Sequence, residues 1–296
     1  MERVPPSFTS SSSRWKIGQV ILLALGFLVL YDLGIRAGVL KPGDGLSQNQ
    51  KNDIRKERII FGSVKDLDAV LVGSSLAARV KIEDLDPKFY NLGLLGDSSL
   101  SGCETLLLAE QLPKHVIVEV SDSLVRTKDL HDLRAAYNPT ERWLSTTLPW
   151  TRQEYQPANV FIHKFKRKGS DVGGYSESAR QRATETYRQR FLEPLTEEET
   201  QFFTMELQKL SERLAALEAR GAKVHLFYIP GEKSVEEAPK RVGFLKLAQE
   251  HFAQTIFSWI PAPEQEEWKT TDGIHLIPEQ AKFVAEYLAT QVQASP

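Results

Sequence analysis

Cysteine is almost absent from this 296-residue chain. Cys103 stands alone, which excludes an internal disulfide framework and a cysteine-ligated zinc site. Histidine is scarce as well. The six are scattered, with no H-E-x-x-H or comparable spacing, so no metal centre is expected. Neither G-x-G-x-x-G nor a P-loop occurs, and no cofactor is expected; a nucleotide-binding domain built on the Gly73 turn is disfavoured on the same ground. An excess of one charge is missing too: 37 Lys and Arg face 39 Asp and Glu, a net charge of −2. That balance argues against a nucleic-acid partner. There is no internal repeat and no long low-complexity tract. The remainder, 41% hydrophobic and 26% charged, is ordinary globular composition for one large domain or two small ones.

Only one long apolar run is present, IGQVILLALGFLVLYDLGI over residues 17–35. With its flanks it matches the roughly 20 residues a bilayer crossing needs. A cleaved signal peptide is the blander reading, but no A-x-A-like site follows. A buried soluble helix fits poorly, because the run is isolated and a polar stretch follows it. The expectation is therefore a cytoplasmic tail (1–16), a retained transmembrane signal anchor (17–36), a linker (37–58) and a folded domain (59–292). Arg14 and Lys16 before the span favour the N-terminus inside, though Arg36 and Lys41 weaken the bias. The domain would then lie on the outer, periplasmic side of the cytoplasmic (inner) membrane.

Within the domain, the short continuous apolar run 69–72 reads as a strand buried on both faces. A second, weaker strand is expected at 89–92, the clearest at 115–120, and others at 223–229 and near 255–259. Ser98 or Ser99 would cap a helix through Leu106, Leu107 and Leu108. Thr196 and Glu199 form a capping box ahead of the stripe Phe203, Leu207, Leu210, Leu214, Leu217, and Gly221 ends that helix. A further helix falls within 236–251, and Pro278 opens a last one. Alternating strands and helices imply an α/β fold, a parallel sheet of about five strands flanked by helices. Residues 125–195 interrupt the alternation and read as an insertion, with turn signals at Asn138-Pro139, Pro149 and Gly173-Gly174.

Two short motifs carry the chemistry. Gly73-Ser74-Ser75-Leu76 follows the first strand. Thr271-Asp272-Gly273-Ile274-His275 follows the last. Sites in such sheets form at the carboxyl ends of the strands, so both would arrive at one edge. Ser75, Asp272 and His275 then supply a triad in the chain order Ser, Asp, His. Ser75 would be the nucleophile, His275 its base, and Asp272 the group that orients the imidazole. Taken singly, Ser75 reads as a helix cap and His275 as a structural histidine; the pairing with Asp272 favours the triad. The backbone N–H of Ser75 or Leu76, and that of Gly96, are candidate donors to an oxyanion.

These motifs resemble the SGNH/GDSL hydrolase family. Gly73-Ser74-Ser75-Leu76 is similar to its first block, with Ser74 where an acidic residue usually stands. The run Asn91-Leu92-Gly93-Leu94-Leu95-Gly96-Asp97-Ser98 is similar to its second, and Gly96 matches the glycine that donates to the oxyanion. Asp272-Gly273-Ile274-His275 matches the closing D-x-x-H. The resemblance covers about 60–290 apart from the insertion and implies an SGNH-like (flavodoxin-like) fold. The third block departs: Val120-Ser121-Asp122-Ser123-Leu124 holds no asparagine. Ser123, or a residue of the insertion, would replace that donor; Asn138 is the nearest asparagine in sequence. A G-S-S block on a membrane-anchored domain is similar to a branch that works beside membrane-bound O-acyltransferases in cell-surface polymer modification. The resemblance therefore implies a serine esterase or O-acyltransferase acting on acyl groups of a cell-envelope glycan or a small acyl ester, with a membrane-bound O-acyltransferase as a partner. The alternative is a non-catalytic SGNH-like subunit that binds polysaccharide or an assembly partner.

The insertion is basic. Residues 126–190 hold thirteen Lys and Arg against seven Asp and Glu, with Lys164, Lys166, Arg167 and Lys168 close together. A solvated face is one reading, and attraction of an anionic polymer or lipid headgroups the other. Trp143 and Trp150 would either stack on sugar rings or pack in a core.

Overall fold

The computed structural model describes residues 11–165 and 176–294. Five strands, β1 (Ala69–Gly73), β2 (Phe89–Gly93), β3 (His115–Glu119), β4 (Lys223–Phe227) and β5 (Ser258–Ile260), pair in parallel in the order β2-β1-β3-β4-β5. This is the flavodoxin-like order, as the sequence led one to expect. Among the described residues the helices run in chain order as α1 (Ser11–Arg36), α2 (Gln48–Ile60), α3 (Ser99–Leu108), α4 (Leu130–Ala136), α5 (Pro139–Thr147), α6 (Pro157–Phe165), α7 (Glu177–Arg190), α8 (Glu197–Ala219), α9 (Lys233–Glu236), α10 (Pro239–Phe252) and α11 (Pro278–Gln293).

Successive side chains of a strand point to opposite faces, and each run divides accordingly. Val70, Val72, Val116, Val118, Val224 and Leu226 pack on one face beneath side chains of α3, α8 and α10. Ala69, Leu71, Ile117 and Phe227 pack on the other, against α11. Both faces are covered, which is why the strands are mostly apolar. The stripe of α8 is buried from Phe203 to Leu217, Thr196 and Glu199 close its capping box, and Gly221 follows its end at φ 94°. Positive φ there suits glycine.

Residues 48–58, expected as part of a linker, instead form the body of α2. Ser47 and Gln50 close a capping box, and Asn52, Ile54, Lys56, Glu57, Ile59 and Ile60 are buried. Half of that buried face is polar, so no apolar period marks it. The insertion is helical among its described residues, carrying α4 to α7. Gly173-Gly174 and the cluster Lys166, Arg167, Lys168 lie outside the described residues, and the side chain of Lys164 is likewise not described.

Helix α1 is long and apolar enough over Trp15–Arg36 to cross a membrane, and its side chains are mostly exposed. Its last turns differ. Tyr31 and Ile35 are buried with Val160, and Leu40, Trp150 and Tyr155 pack around them. The Tyr31 hydroxyl donates to the carbonyl of Tyr155 at 2.7 Å. Trp150 is thus part of a small core, whereas Trp143 is exposed.

At the opposite end of the sheet from the serine turn, His115 Nδ1 lies 3.1 Å from His225 Nε2, and His225 Nδ1 lies 3.0 Å from Ser258 Oγ. Burial first, then His115 and Lys223, pushes His225 down to about 4, and burial lowers His115 as well. A histidine of ordinary pKa near 6.5 in the unfolded chain takes up its proton before the folded one does. Stability from this pair is therefore present above about pH 6.5 and is lost as pH falls toward 4. Thermal melts across that window should show it, and His225→Gln should flatten the slope.

Candidate active site

The chain leaves β1 for β2 on one side of the sheet and crosses to β3 on the other. The crevice for a ligand forms at such a switch point, outside the carboxyl ends of the strands. Ser74 and Ser75 emerge there from β1, and Ser121 to Ser123 from β3. Gly73 makes the turn possible: a Cβ at that position would stand 2.4 Å from Glu119 Oε2 and 2.5 Å from the Ala77 Cβ.

Ser75 Oγ lies 2.9 Å from His275 Nε2, and His275 Nδ1 lies 2.7 Å from Asp272 Oδ2. The structure thus brings all three expected residues into one hydrogen-bonded line, although Ser75 and His275 stand 200 positions apart in sequence. Ser75 caps no helix; the following turn of 3-10 helix (Ala77–Arg79) has Leu76 at its cap and no side-chain cap bond. Asp272 also accepts the N–H of His275 at 2.9 Å and of Ile274 at 3.3 Å. Burial pushes its carboxyl up, but the hydrogen bond and charge of His275, together with those two N–H groups, hold it below the usual carboxylate range. It therefore stays ionised across the neutral range, as an acceptor that fixes the imidazole tautomer must. The loop is itself tied down: Thr271 N–H donates to the carbonyl of His275 at 2.8 Å, and Glu232 N–H to that of Gly273 at 2.8 Å.

A residue that the sequence did not single out holds the serine turn. Glu119, the last residue of β3, is fully buried. Its carboxylate accepts the Ser74 N–H and hydroxyl, each at 2.8 Å, the Ala77 N–H at 3.1 Å, and the Ser121 hydroxyl. Four protein donors converge on one anion, which fixes the backbone on both sides of Ser75. Ser74 stands where the resembled family carries an acid. Here the acid comes from the neighbouring strand and Ser74 is its ligand.

Helix α2 holds the second loop. Buried Asn52 forms a two-way clamp on Leu95, donating to its carbonyl at 2.8 Å and accepting its N–H at 2.9 Å. Arg55 donates to the Gly93 carbonyl. Gly96 follows at φ 67°, and a Cβ there would stand 2.5 Å from Gln48 Nε2. Among the described residues the N–H groups of Ser75 and Gly96 donate to no protein acceptor, whereas the Leu76 N–H is turned to Ser74 Oγ at 3.2 Å. Ser123 lies beside the Glu119 cluster. Ser121 has one hydroxyl proton and faces both Glu119 and, at 2.8 Å, Ser123 Oγ. The carboxylate is the stronger acceptor, so the Ser123 hydroxyl is drawn into the same cluster. Asn138 caps α5, accepting from Thr140 and Glu141, and is no substitute for a third-block asparagine. Asn52→Ala would leave Leu95 unclamped in a partly buried setting, at a cost of about 1 kcal/mol. A lower melting temperature and roughly tenfold slower ester turnover are expected, since about 1.4 kcal/mol of misplaced stabilisation is tenfold in rate.

No protein-family model matches the sequence, and no curated protein matches it. Among solved structures, the chain is similar to a GDSL-like lipase from Bacteroides thetaiotaomicron VPI-5482, with 10% identity, 83% of this chain and 99% of that one covered, and a TM-score of 0.42. It is similar to a protein provisionally named an acylhydrolase from Bacteroides fragilis NCTC 9343, with 10% identity, coverage of 82% and 96%, and a TM-score of 0.41. A third, from Streptococcus pneumonia and provisionally named for platelet activating factor, has 11% identity, coverage of 93% and 99%, and a TM-score of 0.43.

The insertion reaches the site through α7. A cavity of about 330 Å³ beside Asp272 is lined by Arg79, Thr271, Ala183, Thr186 and Tyr187. Arg79 donates to Thr271 Oγ1 at 3.1 Å. The basic excess of the insertion is partly neutralised by acids outside it: Arg134 pairs with Glu104 and Arg142 with Glu110.

Proposed function

We propose that this chain is a serine acyl-transfer enzyme, an SGNH-type esterase or O-acyltransferase acting on acyl groups of a cell-envelope glycan. The single observation that carries the reading is the Ser75–His275–Asp272 line, at 2.9 and 2.7 Å, with the Ser75 N–H donating to no acceptor among the described residues. In this reading Ser75 Oγ attacks the acyl carbonyl as its proton passes to His275 Nε2. The negative charge on the carbonyl oxygen is met by the N–H groups of Ser75 and Gly96. His275 then gives the proton to the departing alkoxide, leaving an acyl group on Ser75. Water or a sugar hydroxyl, deprotonated by the same imidazole, attacks that ester and restores Ser75. Hydrolysis and transfer share every residue and differ in which hydroxyl arrives.

The domain is assigned to the outer face of the cytoplasmic membrane, held by α1 as a retained anchor. Support comes from Tyr31 and Ile35, which are buried against the insertion; cleavage after the apolar run would strip partners from that core. A fluorophosphonate probe applied to the full-length protein tests the activity. Covalent label on Ser75, found by peptide mapping, is expected. Failure of the folded wild type to take the probe would defeat the reading.

A further inference from the structure

The end of α1 is built into the insertion, and lengths along the helix decide where that contact falls. Lys16 and Arg36 stand 20 positions apart, about 30 Å at ~1.5 Å per residue, which is the thickness of a bilayer's hydrocarbon core. Tyr31 lies 5 positions before Arg36, so it would sit about 7 Å inside the outer edge of that core. Yet Tyr31 is 4% exposed. Its hydroxyl is bonded to the Tyr155 carbonyl, and its ring lies 6.1 Å from that of Phe161. Placing the edge below Tyr31 instead leaves Ile17 to Leu30 as the free span, about 21 Å, too short for the core.

Other contacts agree. Arg36 donates to the carbonyl of Thr147 at the end of α5, which sets Trp143, one turn earlier, beside the exit of the anchor. Val39, Trp143 and Phe161 are exposed apolar side chains around that exit. Aromatic residues favour this depth, where apolar and polar layers meet.

We propose that this face of the insertion is seated in the outer leaflet of the membrane, with Phe161 at the acyl boundary and Val39 among the headgroups. The domain is docked on the lipid surface rather than hung from a tether, so its attitude to the membrane is fixed. The proposal rests on α1 as a retained span but not on the acyl chemistry.

Nitroxide labels on the full-length protein in phosphatidylcholine nanodiscs test it, read by the competing relaxation of oxygen and a water-soluble nickel chelate. Cys103 is buried and stays unlabelled. Four single variants are needed: Leu23→Cys in mid-span, Phe161→Cys and Val39→Cys at the seat, and Ile256→Cys as a solvent control. Leu23 should favour oxygen most, Phe161 should favour oxygen severalfold over Ile256, and Val39 should fall between Phe161 and Ile256. A Phe161 label as accessible to nickel as Ile256, with Leu23 still protected, overturns the seat alone. An accessible Leu23 removes the span and the seat together. If Phe161→Cys fails to fold, a Val39 label indistinguishable from Ile256 overturns the proposal by itself.

Discussion

Replacing Ser75 with alanine should reduce hydrolysis of p-nitrophenyl acetate to the buffer rate, and His275→Ala should be nearly as severe. Members of a triad act as a unit, and their losses do not add. Asp272→Asn keeps the shape of the site but offers the imidazole the wrong partner. A comparable change elsewhere lowers kcat by about 10⁴. Ser74→Ala is the informative contrast. Its hydroxyl supports Glu119 and makes no bond to His275, so the variant should be slow yet still take the fluorophosphonate on Ser75. Steady-state kinetics and probe labelling separate these outcomes. Equal turnover by wild type and Ser75→Ala, with no label on either, would favour the non-catalytic binding subunit.

The second large effect is expected at Glu119. Glu119→Ala leaves the Ser74 and Ala77 N–H groups and two serine hydroxyls without their acceptor in a fully buried place. Each orphaned donor costs about 1–3 kcal/mol. Relaxation recovers part, so a net loss near 3 kcal/mol is a fair expectation, or about 6–12 °C in melting temperature for a domain of this size. Glu119→Gln is the finer probe. It preserves volume but turns an amide NH2 toward groups that are themselves donors. That variant should stay folded, hold its KM, and lose roughly 10²-fold in kcat, because the nucleophile turn is misplaced rather than removed. Partial recovery by Glu119→Asp would mark a positioning role. Unchanged kcat in a folded Glu119→Gln would remove it.

Much of the site was legible because its signals are local. A strand ending in Gly-Ser-Ser and a D-x-x-H loop each declare themselves within a few residues, and parallel topology carries them to one edge. The strands were legible for the same reason, since burial on both faces leaves short, mostly apolar runs. Helix α2 was not. The residues it turns inward include Asn52 and Glu57, and it grips the Leu95 loop through amides and a guanidinium, so it looks like a polar linker. Glu119 was hidden differently. One acid at the end of a strand reads alike whether it meets water or four donors, and only the neighbour across the sheet decides. Ser123 and Asn138 were plausible by type and position. Ser123 lies beside the Glu119 cluster and Asn138 caps a helix, contacts set by tertiary packing and by the start of α5.

The cradle under the serine turn also constrains how such a turn can change by single steps. Ser74→Asp, which would supply the acid on the turn itself, sets two carboxylates against each other in a dry pocket while Glu119 remains. Losing Glu119 while Ser74 remains orphans the donors. Each single replacement should therefore lower stability, and Ser74 and Glu119 should be energetically coupled. Ser74→Asp should be tolerated far better in a Glu119→Val background than in the wild type, a coupling that a double-mutant cycle on melting temperature would register as a large departure from additivity.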